Sequence, residues 1–451
     1  MINVQSIKSK LILFLSRIPK ENLLVFIILI SSFILKLYFV FYCTDYKNYL
    51  FSDMGAYWGR AKERFNGDIF AYGQWSSWAT FFHFYLTFVF KILNCLHLSD
   101  YRLEAVLFLN VVYSTASVYF FYLISKHFMK DSTFTMFSTL LYAFTYPIIY
   151  LNAYILSENI AIPLLILAVC LVLNCSNNRI MLFLAGMVLA IGIAARPSLS
   201  LLIIPFFVYV IYTGVSSRIS ISKGVFLLIG FFLVIFLVIQ ENYLISNGKL
   251  TALAANGGLV FFIQQCKVHW VSSTYEGYVT EIGPPAYLGN PDLARMESYV
   301  DHPIHDQDFF YKLGFDCIKR NPRIWFDNLM SLKAFFLGPL FPGAFSCKWF
   351  DPLIKLWMYI ILFTTASMPF MCLLIRDKKI KLNKGLFIIS IPIFIMFTNY
   401  IWGPEHRYSY PSIFALYIIF FTFVSYVKDY LKYAIFYLLL IFLLYLVAVP
   451  V

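Results

Sequence analysis

The sequence predicts an all-α polytopic membrane protein with about eleven transmembrane helices. The first observation is composition, because 61% of the 451 residues are hydrophobic, 20% are aromatic and only 13% are charged. Soluble domains carry roughly 25% charged residues. The second is the recurrence of apolar runs near the ~20 residues that cross ~30 Å of hydrocarbon. In lipid such a run is helical, because a helix satisfies its own backbone hydrogen bonds.

The apolar runs give the predicted order of the spans. The first, 23–42, is long enough to stay in the membrane, and no small-residue cleavage site follows, so no cleavable signal peptide is predicted. The later spans are predicted at 104–124, 133–152, 156–174, 180–195, 198–213, 224–243, 352–375, 385–402, 411–427 and 433–449.

The net charge of +12 is explained by topology and does not indicate nucleic-acid binding. With a cytoplasmic N-terminus, the inside segments hold basic residues such as Lys126, Arg179 and the run 376–384. The long outside segment 244–350 instead carries nine basic and nine acidic residues. This asymmetry is the positive-inside pattern. Nucleic acid is therefore not an expected partner.

The chain divides into three parts by these segments. Residues 1–243 form an N-terminal transmembrane module, which includes a first outer loop at 43–103. Residues 244–350 form a larger outer region, with predicted helices at 306–320 and 322–337. Residues 351–451 carry the C-terminal helices.

An aromatic segment in the first outer loop, 78–97, is predicted to be a helix lying along the interface. The alternative is a true span. A span there would invert every later loop and place the basic run 376–384 outside, against the positive-inside pattern.

Asp53 follows the first span in a short acidic and aromatic stretch. One interpretation is structural, in which Ser52 and Asp53 cap a short helix. The other is chemical, in which a carboxylate at the outer boundary acts as a general base on an acceptor hydroxyl or amine. Arg60 follows at helical spacing and is predicted to contact substrate.

Glu158 stands at the outer start of a predicted span. An acid in so apolar a context is costly and by default indicates function. The alternative is a first-turn acid that complements the helix dipole. Because the predicted topology places Glu158 on the same side as Asp53, the two carboxylates are the candidate catalytic pair.

Two arginines are candidates for binding phosphate on that side. Arg196 lies between two spans with almost no loop, and Arg407 lies in a short loop with Glu405, His406 and Tyr408. The forked donors of a guanidinium match phosphate oxygens. The alternative is that Arg407 pairs with Glu405 and reaches toward the headgroups.

Other polar features are assigned no chemistry. Lys36 in the first span is expected to extend outward to the interface. His302 and His305 lie in a turn-like stretch with a proline between them, so no metal site is predicted there. No glycine-rich nucleotide loop is present. No cofactor is expected with certainty, and a divalent metal has no clear ligand set.

The order of these features along nearly the whole chain resembles the GT-C glycosyltransferases. The bacterial branch of that family includes the lipid A aminoarabinose transferase, the rhizobial galacturonosyltransferases and the protein O-mannosyltransferases. The motifs that carry the resemblance are Asp53, the aromatic helix, Ser157-Glu158, Ala195-Arg196-Pro197, Asn256-Gly257-Gly258 with Phe261-Phe262, Asn321-Pro322, and His406-Arg407-Tyr408.

The resemblance implies a function and a location. Such enzymes move a sugar from a polyprenyl-phosphate donor to a lipid, glycan or protein acceptor, at the outer face of the bacterial cytoplasmic membrane. Asp53 would be the catalytic acid/base and Glu158 a second acid near the sugar, with inversion at the anomeric carbon. Arg196 and Arg407 would bind the donor phosphate with His406 and Tyr408, while Arg60, Asn256 and Glu405 would contact substrate elsewhere.

Three other classes of function compete with this interpretation. A polysaccharide polymerase or ligase would also act on lipid-linked glycans, but its chemistry is expected in a later loop than Asp53. A lipid or sugar transporter needs polar groups near the bilayer midplane and often repeated halves. The predicted spans are nearly uncharged in their middles and show no repeat. A structural partner without activity is the third.

Overall fold

The protein is described here by a computed structural model. It describes residues 19–50, 52–67, 79–175, 177–213, 219–245, 253–254, 257–266, 307–320, 322–323, 367–402 and 406–426. Several predicted features lie outside these residues: Asn256, Glu405, the two histidines at 302 and 305, the span 433–449, and most of 322–337 and 352–375.

The described residues form helices joined by short connections. In chain order they are α1 (Lys20–Tyr38), α2 (Ser52–Phe65), α3 (Thr80–Cys95), α4 (Arg102–Phe128), α5 (Ser132–Ala143), α6 (Tyr146–Leu151), α7 (Glu158–Cys175), α8 (Arg179–Ala195), α9 (Ile203–Tyr212), α10 (Ile219–Ile245), α11 (Gly257–Cys266), α12 (Gln307–Arg320), α13 (Leu382–Trp402) and α14 (Ile413–Tyr426). Residues Ser367–Arg376 are also helical.

The predicted fold class is confirmed, because the described part of the chain is all-helical and strongly apolar. Five of its helical segments are long and apolar enough to cross a membrane: Lys20–Cys43, Ser99–Phe128, Glu158–Cys175, Ser222–Leu244 and Arg407–Tyr426. Five more apolar helices are shorter, with 10–17 residues. The figure of about eleven spans stays a prediction.

One predicted span is two helices. The run 133–152 was expected to be continuous, but α5 ends at Ala143 and α6 begins at Tyr146. Pro147 explains the break, since proline has no N–H to donate to the carbonyl four residues earlier, at Ala143, and fits the first turn of a new helix. The hydroxyl groups of Thr145 and Tyr417 lie 2.9 Å apart, which ties this break to α14.

Two glycines allow α8 and α10 to cross closely. A Cβ added to Gly186 would overlap the carbonyl oxygen of Leu227, and one added to Gly230 would overlap that of Phe183. Small residues at such crossings let the helix backbones approach in an apolar solvent. Because α8 ends at Ala195, this contact fixes the position of Arg196 directly after it.

Lys36 does not extend outward, so that expectation was wrong. Its side chain is 0% exposed, and its Nζ has no hydrogen-bond partner in the described part of the chain. Lys36 shares a helix face with Ser32, which donates to the carbonyl of Ala143, and with Phe39, whose ring contacts that of Tyr146. Helical side chains also lean toward the N-terminus, here away from the predicted outer surface.

The predicted helix at 78–97 is observed as α3, from Thr80 to Cys95. Phe82, Leu86 and Phe90 on one face are buried. Phe84 and Phe88 on the other face are exposed, as expected of a helix with one face toward lipid. Its position in the interface stays a prediction.

Candidate active site

Asp53 is held in the first turn of α2. The helix begins at Ser52, so a carboxylate here also complements the helix dipole. Aromatic contacts fix α2 on α3: the rings of Tyr57 and Phe82 lie 4.8 Å apart, and those of Trp58 and Phe90 lie 4.6 Å apart. Asp53 is therefore carried by a helix that is anchored along its length.

Glu158 is the first residue of α7 and follows a non-helical turn. Two buried amides fix that turn. Asn110 of α4 donates to the carbonyl of Tyr154 at 3.0 Å, and Asn159 donates to the same carbonyl at 2.8 Å. Satisfying this buried carbonyl from side chains lets the chain leave helical geometry inside the protein. Glu158 is consequently 1% exposed at a defined position.

Arg196 directly follows α8, and Pro197 begins a short 3₁₀ helix. The backbone N–H of Arg196 still donates to the carbonyl of Gly192 at 3.0 Å, but the φ and ψ of Arg196, −140° and 89°, are not helical. Proline imposes this change on the preceding residue. Arg407 lies in a second 3₁₀ helix, His406–Ser412, which leads into α14.

The four ionic side chains meet in one place, although they come from separate parts of the chain. Arg407 Nη2 lies 2.8 Å from Asp53 Oδ2, and Arg196 Nη1 lies 2.6 Å from Glu158 Oε1. Arg407 Nε lies 3.9 Å from the same Glu158 oxygen and joins the two pairs. We call these four residues the ionic quartet. Its two carboxylates balance its two guanidinium groups.

Exposure differs across the quartet. Glu158 is 1% exposed, while the side chains of Arg196 and Arg407 are 9% and 11% exposed and that of Asp53 is 17% exposed. Asp53 is thus on the accessible side and Glu158 at the base. A buried carboxylate between two guanidinium groups stabilises their charge and orients them. An incoming molecule meets Asp53 and the arginines first.

Tyr408 lies beside both arginines. The Cζ of Arg196 is 4.6 Å from its ring centroid, and that of Arg407 is 5.6 Å away. Such cation–π contacts favour a guanidinium over an aromatic face. His406 is the first residue of that 3₁₀ helix. The side chain of His406 and the residues Asn256 and Glu405 are not among the described parts of the chain.

A relay of hydroxyl groups supports Glu158 and was missed from sequence. Tyr57 hydrogen-bonds Ser157, whose hydroxyl donates to Glu158 Oε2 at 3.2 Å. Burial, then the nearby Asp53 carboxylate, raises the pKa of Tyr57 to about 12, so Tyr57 stays protonated. The signal was available, because Tyr57 follows Asp53 by four residues and shares its helix face.

Arg60 is 3% exposed, two turns along α2 from Asp53. Burial and then the positive charge of Arg60 lower the pKa of His83 on α3. Arg60, Arg64 and His83 belong to a second polar cluster. The quartet combines two guanidinium groups with the more accessible carboxylate of Asp53. Guanidinium groups can bind a phosphate, and a carboxylate can accept a proton. These roles stay predictions.

Comparison with known proteins gives a fold-level likeness only. No family model and no curated protein matches the chain. Among solved structures, the chain is similar to the archaeal oligosaccharyltransferase AglB from Archaeoglobus fulgidus, in complex with an inhibitory peptide and a dolichol-phosphate. The TM-score is 0.45 and the identity 13%, over 94% of this chain and 54% of AglB. The chain therefore spans about half the length of that protein.

Proposed function

We propose that the protein is a GT-C type membrane glycosyltransferase. It moves a sugar from a polyprenyl-phosphate donor to a lipid, glycan or protein acceptor at the outer face of the membrane. The observation that carries the proposal is the ionic quartet, in which Asp53 and Glu158 meet Arg196 and Arg407. The membrane-spanning helices supply the setting that a lipid-linked donor requires.

Donor binding exchanges the partners within the quartet. Arg407 is paired with Asp53 at 2.8 Å, so a donor phosphate competes with that carboxylate for the guanidinium. A phosphate matches the donor fork as well as a carboxylate does. When Arg407 turns to the phosphate, Asp53 loses its counter-ion and is released toward the acceptor. The donor then binds before Asp53 becomes a base.

The transfer step is a single displacement with inversion. Asp53 takes the proton of the acceptor hydroxyl while the acceptor oxygen attacks the anomeric carbon. The bond from that carbon to the phosphate oxygen breaks, and polyprenyl phosphate leaves with the bonding electrons. Arg196 and Arg407 stabilise the negative charge that develops on the leaving group. Glu158 is too buried to reach the acceptor, so in this mechanism it positions the arginines.

The site's place in the helices favours a transferase over a transporter. Glu158 begins its helix, and Arg196 directly follows the end of its own. A transporter is expected to bind its substrate near the midplane, between discontinuous helices. Because α7 and α8 have 18 and 17 residues, close to the length that crosses the hydrocarbon, we expect their ends to lie near the membrane surface and not at the midplane.

The Asp53→Asn variant tests the proposal. Purified protein in lipid is given synthetic polyprenyl-phosphate sugars and a lipid extract of the source cells, and transfer is followed by mass spectrometry. Asparagine keeps the size of the side chain but removes the base, so transfer should fall by at least about 10²-fold. The matched control is Asp100→Asn, an exposed aspartate at the start of the next span.

Transfer activity is compared between variants at equal amounts of folded protein. Loss of transfer in Asp53→Asn, with wild-type activity in Asp100→Asn and equal membrane yield, supports the proposal. Full transfer by Asp53→Asn would remove Asp53 from the chemistry. Absence of any transfer by the wild type across the donor panel, together with no missing glycan in cells that lack the gene, would overturn the transferase class itself.

A further inference from the structure

A second polar cluster lies about 10 Å along α2 from Asp53. Arg64 of α2 forms an ion pair with Glu241 of α10, and its Nη1 lies 3.3 Å from His83 Nε2 on α3. Arg60 lies one turn before Arg64 on the same face. We call Arg60, Arg64, His83 and Glu241 the α2–α3 cluster. In the described part of the chain it combines two guanidinium groups with one carboxylate.

His83 has a buried N–H donor without an acceptor within this cluster, as far as the described residues go. Burial, with Arg60 and Arg64 nearby, holds the pKa of His83 well below its ordinary value, so its ring is neutral. A guanidinium can only donate, so Nε2 accepts from Arg64 and Nδ1 carries the hydrogen. That Nδ1 is buried without a hydrogen-bond partner in the described residues, and His83 is 5% exposed. Buried donors in native proteins nearly always have acceptors.

An apolar stripe begins beside the cluster. Phe84, Phe88 and Ile92 follow at four-residue spacing along α3, and each is more than 40% exposed. Their side chains share one helix face. The guanidinium of Arg64 lies 5.2 Å from the ring centroid of Phe84 and joins the cluster to the stripe. Donors for an anion thus adjoin a surface suited to hydrocarbon chains.

We propose that the α2–α3 cluster binds the phosphate of an anionic membrane lipid, whose acyl chains lie along Phe84, Phe88 and Ile92. The phosphate oxygens accept hydrogen bonds from His83 Nδ1 and from the guanidinium of Arg64, with Arg60 adding positive charge. The bound lipid also holds α2, which carries Asp53, against α3.

The proposal is independent of sugar transfer, because its test measures lipid binding. Full-length protein in detergent is titrated with dioctanoyl phosphatidylglycerol, with dioctanoyl phosphatidylcholine and with inorganic phosphate, and complexes are counted by native mass spectrometry. Phosphatidylcholine has the same chains and phosphate but a compensating cation. The wild type is expected to bind phosphatidylglycerol about tenfold more tightly than phosphatidylcholine. Inorganic phosphate at the same concentration is expected not to bind.

Two variants identify the site. Arg64→Gln with Glu241→Gln removes the ion pair without leaving a lone buried charge, and His83→Phe removes the Nδ1–H donor while keeping a buried ring. Each is expected to lower the preference for phosphatidylglycerol to within about twofold of phosphatidylcholine. Lys62→Gln, an exposed cation on the same helix, is the matched control and should keep the preference.

Three results would overturn the site. The first is an unchanged lipid preference in His83→Phe and in the double variant. The second is an equal loss of preference in Lys62→Gln, which would show a diffuse effect of surface charge. The third is binding of inorganic phosphate as tight as that of the lipid, which would show that the apolar stripe contributes nothing to binding. Failure of any kind here leaves the test of Asp53 untouched.

Discussion

Single residues at the candidate site were largely predictable because polar groups are rare in an apolar chain. A carboxylate or guanidinium near the end of a span is costly unless it is paired or used, and this singled out Asp53, Glu158, Arg196 and Arg407. Their pairing was not predictable, since Asp53 and Arg407 are 354 positions apart and sequence carries no distance between them.

Lys36 shows the opposite failure. Its depth in the first span was evident from sequence, but its direction was not. A lysine at that depth reaches the interface only if its helix face is open to lipid. The face with Ser32 and Phe39 is covered by the junction of α5 and α6, so the amine is enclosed.

The ion pair of Glu158 and Arg196 makes a prediction about stability. Removing Glu158 takes the nearest counter-charge from Arg196, and removing Arg196 leaves Glu158 only the more distant Arg407 at 3.9 Å. Either change is destabilising, whereas neutralising both partners is milder. The single variants Glu158→Gln and Arg196→Gln should each lower Tm in detergent. The double variant should melt above Arg196→Gln, with a coupling of about 1–3 kcal/mol.

Thermal unfolding followed by tryptophan fluorescence measures this cycle. Asp100→Asn serves as a reference for loss of an exposed carboxylate, and its Tm should equal that of the wild type. If the losses of the two single variants simply add in the double variant, the two side chains do not interact as the 2.6 Å separation indicates.

Elements were predictable where apolar runs are long and uninterrupted. The helices α1, α4, α7, α8 and α10 overlap their predicted spans along most of their length. The division of 133–152 was missed because hydropathy does not report backbone geometry, although Pro147, which lacks an N–H, was a signal in the sequence. The register of α8 on α10 also lay beyond sequence, since a glycine is required only where another backbone approaches.

The close crossing of α8 and α10 predicts unequal effects of two glycine substitutions. In Gly186→Ala the new Cβ meets the carbonyl oxygen of Leu227, which is backbone and cannot rotate away. Overpacking of this kind costs about 1–3 kcal/mol. The variant should melt lower than the wild type and, because Arg196 follows α8, should also lose activity in the transfer assay.

Gly192→Ala on the same helix is the control. Its Cβ would lie 3.4 Å from the Cβ of Leu164, an ordinary contact, and alanine is the better helix former by about 1 kcal/mol. Its Tm should match or exceed that of the wild type. A Gly186→Ala variant as stable as Gly192→Ala would contradict the crossing.

At the scale of the whole molecule, the two ends of the helices differ in the charged residues that they carry. The quartet and the α2–α3 cluster occupy one end, where acids and arginines pair. At the other end Lys126 pairs with Glu21, and Lys384 lies 3.1 Å from His127. The basic run 376–384 follows the helical residues Ser367–Arg376 at that same end.

This charge difference predicts which end faces the cytoplasm. Basic segments are retained on the cytoplasmic side, so the quartet should face outward, where the proposed donor, a polyprenyl-phosphate sugar, would be presented. The substitutions Asp100→Cys and Arg179→Cys, at exposed positions, test the two ends of the helices. Each is made alone, in a protein whose native cysteines have been replaced. A membrane-impermeant maleimide should label position 100 in intact cells and position 179 only after permeabilisation. Labelling of 179 but not 100 in intact cells would place the quartet on the cytoplasmic side and exclude the proposed outer-face reaction.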